Sequence, residues 1–255
     1  CALGCIFCAC SALFERRFRN RTAQSVIREM RDIAERFGFT RFALNDDNPS
    51  INVAHLLDVA RALSEAEPGT FELTFSATVD CSIFRRPEQL ELVARGGFRE
   101  VFMGCETTSA DAIVATRKTK RGEHWESLIE AAITATRSSG LASRTSWILG
   151  LPLETRESFL HTIDFIERTA PDTALLSLLQ PYPGTEMAAL AGDVGNPYGL
   201  RFLNRDPSAM IASKFEPVVE TRDLKRDDIV DLAFRFVSRL SPSLQANVSG
   251  SPYFL

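Results

Sequence analysis

Apolar residues return with two different periods along the first part of the chain. Stretches in which they recur every three or four positions predict helices, and shorter stretches in which they alternate or run together predict strands. The first helix carries Val26, Met30, Ile33 and Phe37 at helical spacing and ends at Gly38. The predicted strands are residues 39–44, 71–75, 100–103, 146–149 and 174–179. The other predicted helices are residues 53–66, 87–95, 124–139 and 155–169.

Strict alternation of strand and helix predicts a parallel sheet joined by right-handed crossovers. Periodicity does not separate an open, doubly wound sheet from a full or partial barrel. In either architecture, ligands bind at the carboxyl ends of the strands. The loops after the predicted strands carry the unusual residues, which are Asp46-Asp47, Cys105-Glu106, Gly150-Leu151-Pro152 and residues 182–185. We therefore expect the functional site along this edge of the sheet.

Composition excludes several classes of protein. The 255 residues are 45% hydrophobic and 24% charged, which is typical of a soluble globular protein. A net charge of -4 disfavours non-specific binding to nucleic acid. No apolar run approaches the roughly 18 residues that cross a bilayer, so we expect no integral membrane protein. The first residue is Cys1, and we therefore expect a fragment of a longer chain.

The cysteines are concentrated at the start of the chain. Cys1, Cys5, Cys8 and Cys10 lie within ten residues, whereas Cys81 and Cys105 stand alone and suit buried small residues. This clustering favours a metal site in a reducing compartment, here the cytoplasm, over a disulfide framework. Cysteines spaced C-x3-C-x2-C can hold an iron–sulfur cluster and leave one iron open. A zinc site completed by Cys10 and a chance cluster remain alternatives.

Four motifs in order resemble those of the radical S-adenosylmethionine (SAM) superfamily. They are the cysteine motif with Phe7 before its last cysteine, Met103–Thr107, Ile148–Thr155 and Pro181–Thr185. The last motif is similar to that of the subgroup that often carries an upstream cobalamin-binding domain. Thr107 stands where the family usually has serine, and Leu153 where it usually has glycine.

The resemblance implies an α/β fold, a partial (β/α)6 TIM-type barrel whose first strand would precede Cys1. Residues 1–190 would form this barrel, and residues 191–255 a C-terminal extension of loop, extended segment and helix. Cys1, Cys5 and Cys8 would hold a [4Fe–4S] cluster whose open iron binds SAM. Reductive cleavage of SAM would then start radical chemistry, with no catalytic side chain beyond the cluster and SAM.

The resemblance also implies which residues contact SAM. They are Phe7, Asp46, Asp47, Glu106, Gly150 and Pro152. Each has a structural alternative, namely a core aromatic, a plain turn, a solvated loop acid or a turn-forming residue. The basic run of residues 117–121, which includes Lys118, can contact an anion, but such runs are usually solvated.

The tail is expected to provide substrate specificity. Its loop, residues 192–207, carries Tyr198, Arg201 and Arg205, which suit a planar or anionic ligand. Its helix, residues 229–240, has one apolar stripe and is expected to cover the edge of the sheet.

Together these features predict a radical SAM enzyme that acts on a small molecule by methyl transfer, C–C bond formation or ring formation. The expected partners are the substrate and a reductant such as flavodoxin or ferredoxin, with no membrane; cobalamin would bind through a domain outside this sequence. One alternative is a methylthiotransferase acting on tRNA or a ribosomal protein, although no cysteine follows Cys105. The other is a non-enzymatic, zinc-stabilised binding module.

Overall fold

A computed structural model describes residues 1, 3–13, 19–206, 208, 216–240 and 247–248. Its helices are α1 (Ala9–Leu13), α2 (Ala23–Phe37), α3 (Val53–Ala66), α4 (Pro87–Arg95), α5 (Ala110–Ala115), α6 (Trp125–Ser138), α7 (Arg156–Thr169), α8 (Glu186–Gly192) and α9 (Arg226–Leu240). Its strands are β1 (Arg41–Leu44), β2 (Glu72–Thr78), β3 (Phe98–Glu106), β4 (Ala142–Leu149), β5 (Thr173–Leu178), β6 (Arg201–Phe202), β7 (Val219–Glu220) and β8 (Asn247–Val248).

The strands predicted from the sequence are confirmed as β1 to β5, and several are longer than the apolar pattern indicated. Hydrogen bonding runs in the order β1-β2-β3-β4-β5-β8, whereas β6 and β7 form a separate antiparallel pair. β2 lies parallel to both β1 and β3. The short strand β8 lies parallel to β5 and was not predicted.

The chain divides into two compact units. The first consists of Cys1, Arg17–Gly104 and Leu128–Arg144, and the second of Ala2–Arg16, Cys105–Ser127 and Thr145–Leu255. In the first unit, β2 has alternate buried residues, among them Leu73 and Phe75. The ring of Phe75 packs edge-on against that of Phe98, with centroids 5.4 Å apart.

In the second unit the helix ends follow from local sequence. Thr155 and Ser158 form a capping box at the start of α7, because the side chain of each accepts the other's backbone N–H. The tail helix is confirmed as α9, with Ile229, Leu232, Phe236 and Leu240 buried on one stripe. α9 packs against α7, β5, β7 and β8.

The tail loop differs from the expectation. Residues 192–207 were expected to be irregular, but Arg201–Phe202 pairs with Val219–Glu220. The extended segment of the tail is predicted from the sequence at residues 211–219, of which residues 211–215 lie outside the described residues. The boundary at residue 190 stays a prediction. No helix among the described residues is long and apolar enough to cross a membrane.

Candidate metal and cofactor centre

The loop between Cys5 and Cys8 is held at its centre by two other segments of the second unit. The N–H of Cys8 donates to the carbonyl of Cys5 at 3.2 Å, which closes a turn over Ile6 and Phe7. The N–H of Ile6 donates to the carbonyl of Thr116 at 3.0 Å, after α5. The carbonyl of Ile6 accepts the N–H of Met187 at 3.0 Å, in the first turn of α8. Ile6, one of the two residues between the cysteines, therefore has both its backbone N–H and its carbonyl hydrogen-bonded.

The thiol of Cys5 is buried, and this burial raises its pKa to about 11. The nearby charge of Lys118 opposes the shift without cancelling it. The thiol is consequently protonated near neutral pH when no metal is bound, and binding a metal would release its proton. None of the six cysteines, all of which are described, forms a disulfide.

The three cysteines of the motif are divided between the two units, with Cys1 in the first and Cys5 and Cys8 in the second. Within the described part of the chain, no three His, Cys, Asp or Glu side chains lie together as a metal site. The donor chemistry fits an iron–sulfur cluster, because thiols are its ligands and the loop backbone is held. Their assignment as ligands stays a prediction.

Asp46 and Asp47 lie after β1 in the first unit, as predicted. Asp47 Oδ2 lies 3.3 Å from the backbone nitrogen of Cys1. Asp46 is exposed, and its carbonyl accepts a hydrogen bond from Ser76 Oγ at 3.2 Å. The structure therefore brings Asp47 to Cys1 and leaves the carboxylate of Asp46 open to solvent.

Glu106 forms a buried ion pair with Lys118. Both side chains are less than a tenth exposed, so the alternatives of a solvated loop acid and a solvated basic residue are wrong. Burial lowers the pKa of Lys118, but the charge and hydrogen bond of Glu106, together with the nearby thiols of Cys5 and Cys105, more than offset this, and the pKa lies above its ordinary value. Lys118 Nζ also lies 6.0 Å from the centre of the Trp125 ring. Lys118 is thus a candidate site residue that could not be distinguished in the sequence from the other residues of its basic run.

Glu154 joins the loops that follow β3 and β4. Glu154 is fully buried. Its Oε1 accepts a hydrogen bond from Thr107 Oγ1 at 2.9 Å, and its Oε2 accepts one from the backbone N–H of Gly150 at 2.8 Å. Burial raises the pKa of Glu154 to about 8, although both hydrogen bonds lower it. The signal in the sequence was its place in the motif Gly150–Thr155, which pointed to backbone shape rather than to this carboxyl group.

The glycine and proline of this motif have local roles. Gly150 has a φ of 95°, a conformation that favours glycine, and Pro152 is buried. Leu153, which stands where the family usually has glycine, has a φ of 63°. The loops that follow β3 and β4 both belong to the second unit.

The tail residues that were expected to bind substrate have partners within the chain. Arg201 Nε donates to Glu220 Oε1 at 2.8 Å, and the guanidinium of Arg205 stacks over the ring of Phe202. Tyr198 is half-buried and packs, like Phe7, against a buried apolar cluster. The structure thus favours the core-aromatic alternative for Phe7.

Comparison with known proteins decides the family. The family model of the radical SAM superfamily matches residues 1–166 of this chain. The chain belongs to the radical SAM superfamily. This confirms the resemblance, and the cofactors of this radical SAM enzyme are accordingly a [4Fe–4S] cluster and SAM. The non-enzymatic zinc module is thereby set aside.

Relatives and solved structures agree with this assignment. The chain is 27% identical over 187 residues to bacteriochlorophyllide d C-12(1)-methyltransferase of Chlorobaculum tepidum, covering 72% of this chain and 39% of that protein. It is 24% identical over 196 residues to the anaerobic magnesium-protoporphyrin IX monomethyl ester cyclase of Rubrivivax gelatinosus, covering 76% and 34%. The radical SAM protein thus spans well under half the length of these relatives.

The fold is that of a solved radical SAM methyltransferase. TsrM from Kitasatospora setae, determined with cobalamin and a [4Fe–4S] cluster bound, aligns over 100% of this chain and 52% of its own, with a TM-score of 0.69 and 17% identity. The predicted α/β fold of the partial TIM-type barrel is therefore confirmed.

Proposed function

We propose that this radical SAM protein is the SAM-cleaving part of a methyltransferase that acts on a small molecule. The observation that carries the proposal is the C-x3-C-x2-C loop, in which backbone hydrogen bonds to Thr116 and Met187 hold Ile6 in place. Methyltransferases among the relatives and solved structures support the transfer of a methyl group.

In this proposal Cys1, Cys5 and Cys8 hold the cluster. When bound, the cluster supplies the electron that cleaves SAM, and the protein binds and orients the cofactor. The Glu106–Lys118 pair provides both a carboxylate and an ammonium group for the polar parts of SAM. Gly150 and Pro152 shape the backbone of the loop after β4, which Glu154 keeps in place.

We further propose the partners and the setting. The reductant is a flavodoxin or ferredoxin, and the clustering of four of the six cysteines within ten residues, as in a metal site of a reducing compartment, supports a cytoplasmic location. Cobalamin, as in the TsrM structure, would bind in a part of the protein outside this sequence.

The ligand assignment is tested by cysteine variants of the full-length protein, reconstituted anaerobically with iron and sulfide. Wild-type protein should take up about four irons and turn brown. Cys5→Ala and Cys8→Ala should lose most of the iron. Cys10→Ala is the matched control, because Cys10 lies two residues from Cys8 and is outside the motif. Loss of the cluster in Cys10→Ala with retention in Cys5→Ala would contradict the assignment.

The SAM contacts are tested by equilibrium binding of SAM to the reconstituted protein. Glu106→Gln should weaken binding by about 1–3 kcal/mol, as expected for the loss of a charged hydrogen-bonding partner. Asp111→Asn, on α5 nearby in the chain, should leave the affinity unchanged. Equal affinity of the wild type and Glu106→Gln would remove Glu106 from the SAM site.

Ring formation is the second candidate, because one relative is a magnesium-protoporphyrin IX monomethyl ester cyclase. The two candidates differ in the fate of the SAM methyl group. Incubation with methyl-labelled SAM would place the label in the product of a methyltransferase, whereas a cyclase would release it in methionine.

A further inference from the structure

The segment after the barrel meets the cysteine loop in one buried apolar cluster. Ile6, between Cys5 and Cys8, is buried in it together with Leu200 and Val219. The other buried members of the cluster are Ala112, Leu151, Leu179, Met187 and Ala191. Phe7, Tyr198 and Phe202 pack against it while remaining partly exposed. We call residues 198–202 and 218–220 the tail hairpin.

Hydrogen bonds from one buried side chain fix the backbone at the start of the tail hairpin. Buried Asn196 donates from its side-chain nitrogen to the carbonyls of Asp193 and Leu200, at 2.6 and 2.8 Å. Its Oδ1 accepts the N–H groups of Tyr198 and Leu200, at 3.1 and 3.0 Å. The side chain of Asn196 thus makes four hydrogen bonds, and two of them hold the backbone of Leu200.

The second half of the hairpin is held by a buried carboxylate. Glu220 is almost fully buried and pairs with Arg201 across β6 and β7. It also accepts the N–H of Arg226, at the start of α9, at 3.3 Å. Gly199 approaches Arg222 so closely that a Cβ there would lie 2.9 Å from the Arg222 Cβ.

We propose that the tail hairpin positions the cysteine loop: by burying Leu200 and Val219 in the same apolar cluster as Ile6, it sets the conformation in which Cys5 and Cys8 bind their ligand. This rests on the proposed function for the identity of that ligand, and it assigns to the tail a role in cluster binding. The backbone bonds from Thr116 and Met187 fix where Ile6 lies, and the apolar cluster fixes its side chain.

This proposal gives the tail a structural role, whereas the sequence predicted that the tail binds substrate. Of the three residues expected to bind substrate, Arg201 is paired with Glu220 and Tyr198 packs against the same cluster as Ile6. Because these side chains make contacts within the protein, the tail hairpin is suited to support the cysteine loop.

The test compares two equally buried leucines in the full-length protein. Leu200 is 1% exposed in the tail hairpin, and Leu232 is 0% exposed on α9. Truncation of either to alanine leaves a cavity and should lower the melting temperature similarly. The first readout is alkylation of Cys5 by iodoacetamide in metal-free protein, followed by peptide mass spectrometry.

We expect Leu200→Ala to raise the alkylation rate of Cys5 by about tenfold or more, because the local opening of the loop becomes easier. Asn196→Ala should act in the same direction, Leu200→Met should restore the wild-type rate, and Leu232→Ala should leave it unchanged. The second readout is the electron paramagnetic resonance spectrum of the reduced cluster, which Leu200→Ala should alter and Leu232→Ala should not.

Unchanged alkylation in Leu200→Ala, or an equal increase in Leu232→Ala, would overturn the proposal. So would a Leu200→Ala protein with a normal cluster and normal SAM cleavage that has lost only product formation, since that would return the hairpin to substrate binding. Alkylation needs no cluster, so failure of the wild type to bind iron would count against the proposed function and leave this test in force.

Discussion

At the scale of single residues, the candidate centre depends on ionisable groups that have been taken out of water. Glu154, Glu106 and Lys118 are all buried in the second unit, each with a named partner. A buried ionisable group that loses its partner is costly, so changes at these positions affect stability as well as chemistry.

The carboxyl group of Glu154 makes the stability of the protein depend on pH. Its pKa is raised from 4.5 to about 8 by burial, so the folded protein binds this proton more tightly than the unfolded chain. The stabilisation is complete below pH about 4.5 and is lost as the pH rises through about 8. Glu154→Gln, which mimics the neutral acid, should flatten this loss, which is on the order of a few kcal/mol.

Chemical denaturation at pH 5, 6, 7 and 8 measures this effect. Glu157→Gln is the matched control, because Glu157 is exposed in the first turn of α7 and its pKa is lowered by hydrogen bonding. A wild-type curve no steeper than that of Glu154→Gln across this range would show that Glu154 stays ionised.

Leu153 adopts a backbone conformation that costs a branched side chain more than it costs glycine. With a φ of 63°, the residue lies in the left-handed region. Leu153→Gly should be more stable than Leu153→Ala by about 1 kcal/mol, because alanine retains the strained Cβ and glycine does not. Urea denaturation of the two variants measures the difference. A more stable alanine variant would show that the loop relaxes out of this conformation.

At the scale of elements, α9 is an amphipathic helix that completes the core of the second unit. The ring of Phe236 packs against that of Phe159 on α7, with centroids 6.4 Å apart. On the other face of α9, Phe234 is exposed. Ion pairs from Arg239 to Asp164 and Glu167 join the surfaces of the same two helices.

The two phenylalanines of α9 should respond differently to truncation. Phe236→Ala should lower the free energy of unfolding by about 3–5 kcal/mol, since it removes a fully buried ring and leaves a cavity. Phe234→Ala should change it by less than about 0.5 kcal/mol, because an exposed ring loses little contact. Denaturant titration monitored by circular dichroism measures both. Similar losses for both variants would contradict the packing of α9.

At the scale of the whole molecule, net charge bears on the choice of substrate. The -4 charge provides no general attraction to the phosphates of RNA. Ion pairing also reduces the basic clusters available for such binding, since Lys118 is buried with Glu106 and Arg117 pairs with Glu186.

We therefore expect this 255-residue chain not to bind tRNA in about 0.15 M salt with the dissociation constants of roughly 10⁻⁴–10⁻⁶ M that are typical of non-specific protein–nucleic acid binding. A mobility-shift assay with labelled tRNA measures this, with a basic RNA-binding domain as the positive control. Micromolar binding that weakens steeply with added salt would favour the methylthiotransferase alternative.

From the amino-acid sequence alone, the order of β1 to β5 and of the longer helices, the apolar stripe of α9 and the family could be predicted. These features follow from local patterns: the 3.6-residue and two-residue periods are set within each segment, and each motif occupies a few adjacent residues. The ends of the strands were less well predicted. β8 was not predicted because a two-residue strand forms only by pairing with β5, which lies far away in the sequence.

Which polar residues are buried, and what the tail packs against, became clear from the folded structure. Lys118 is one charge in a basic run of the sequence, and only the fold buries it beside Glu106. Glu154 similarly bonds to Thr107, 47 positions away in the sequence. Likewise, Leu200 reaches the cluster around Ile6 only through the folded hairpin. The physical reason is that solvation and partner choice depend on which distant segments cover a side chain, and no local period carries that information.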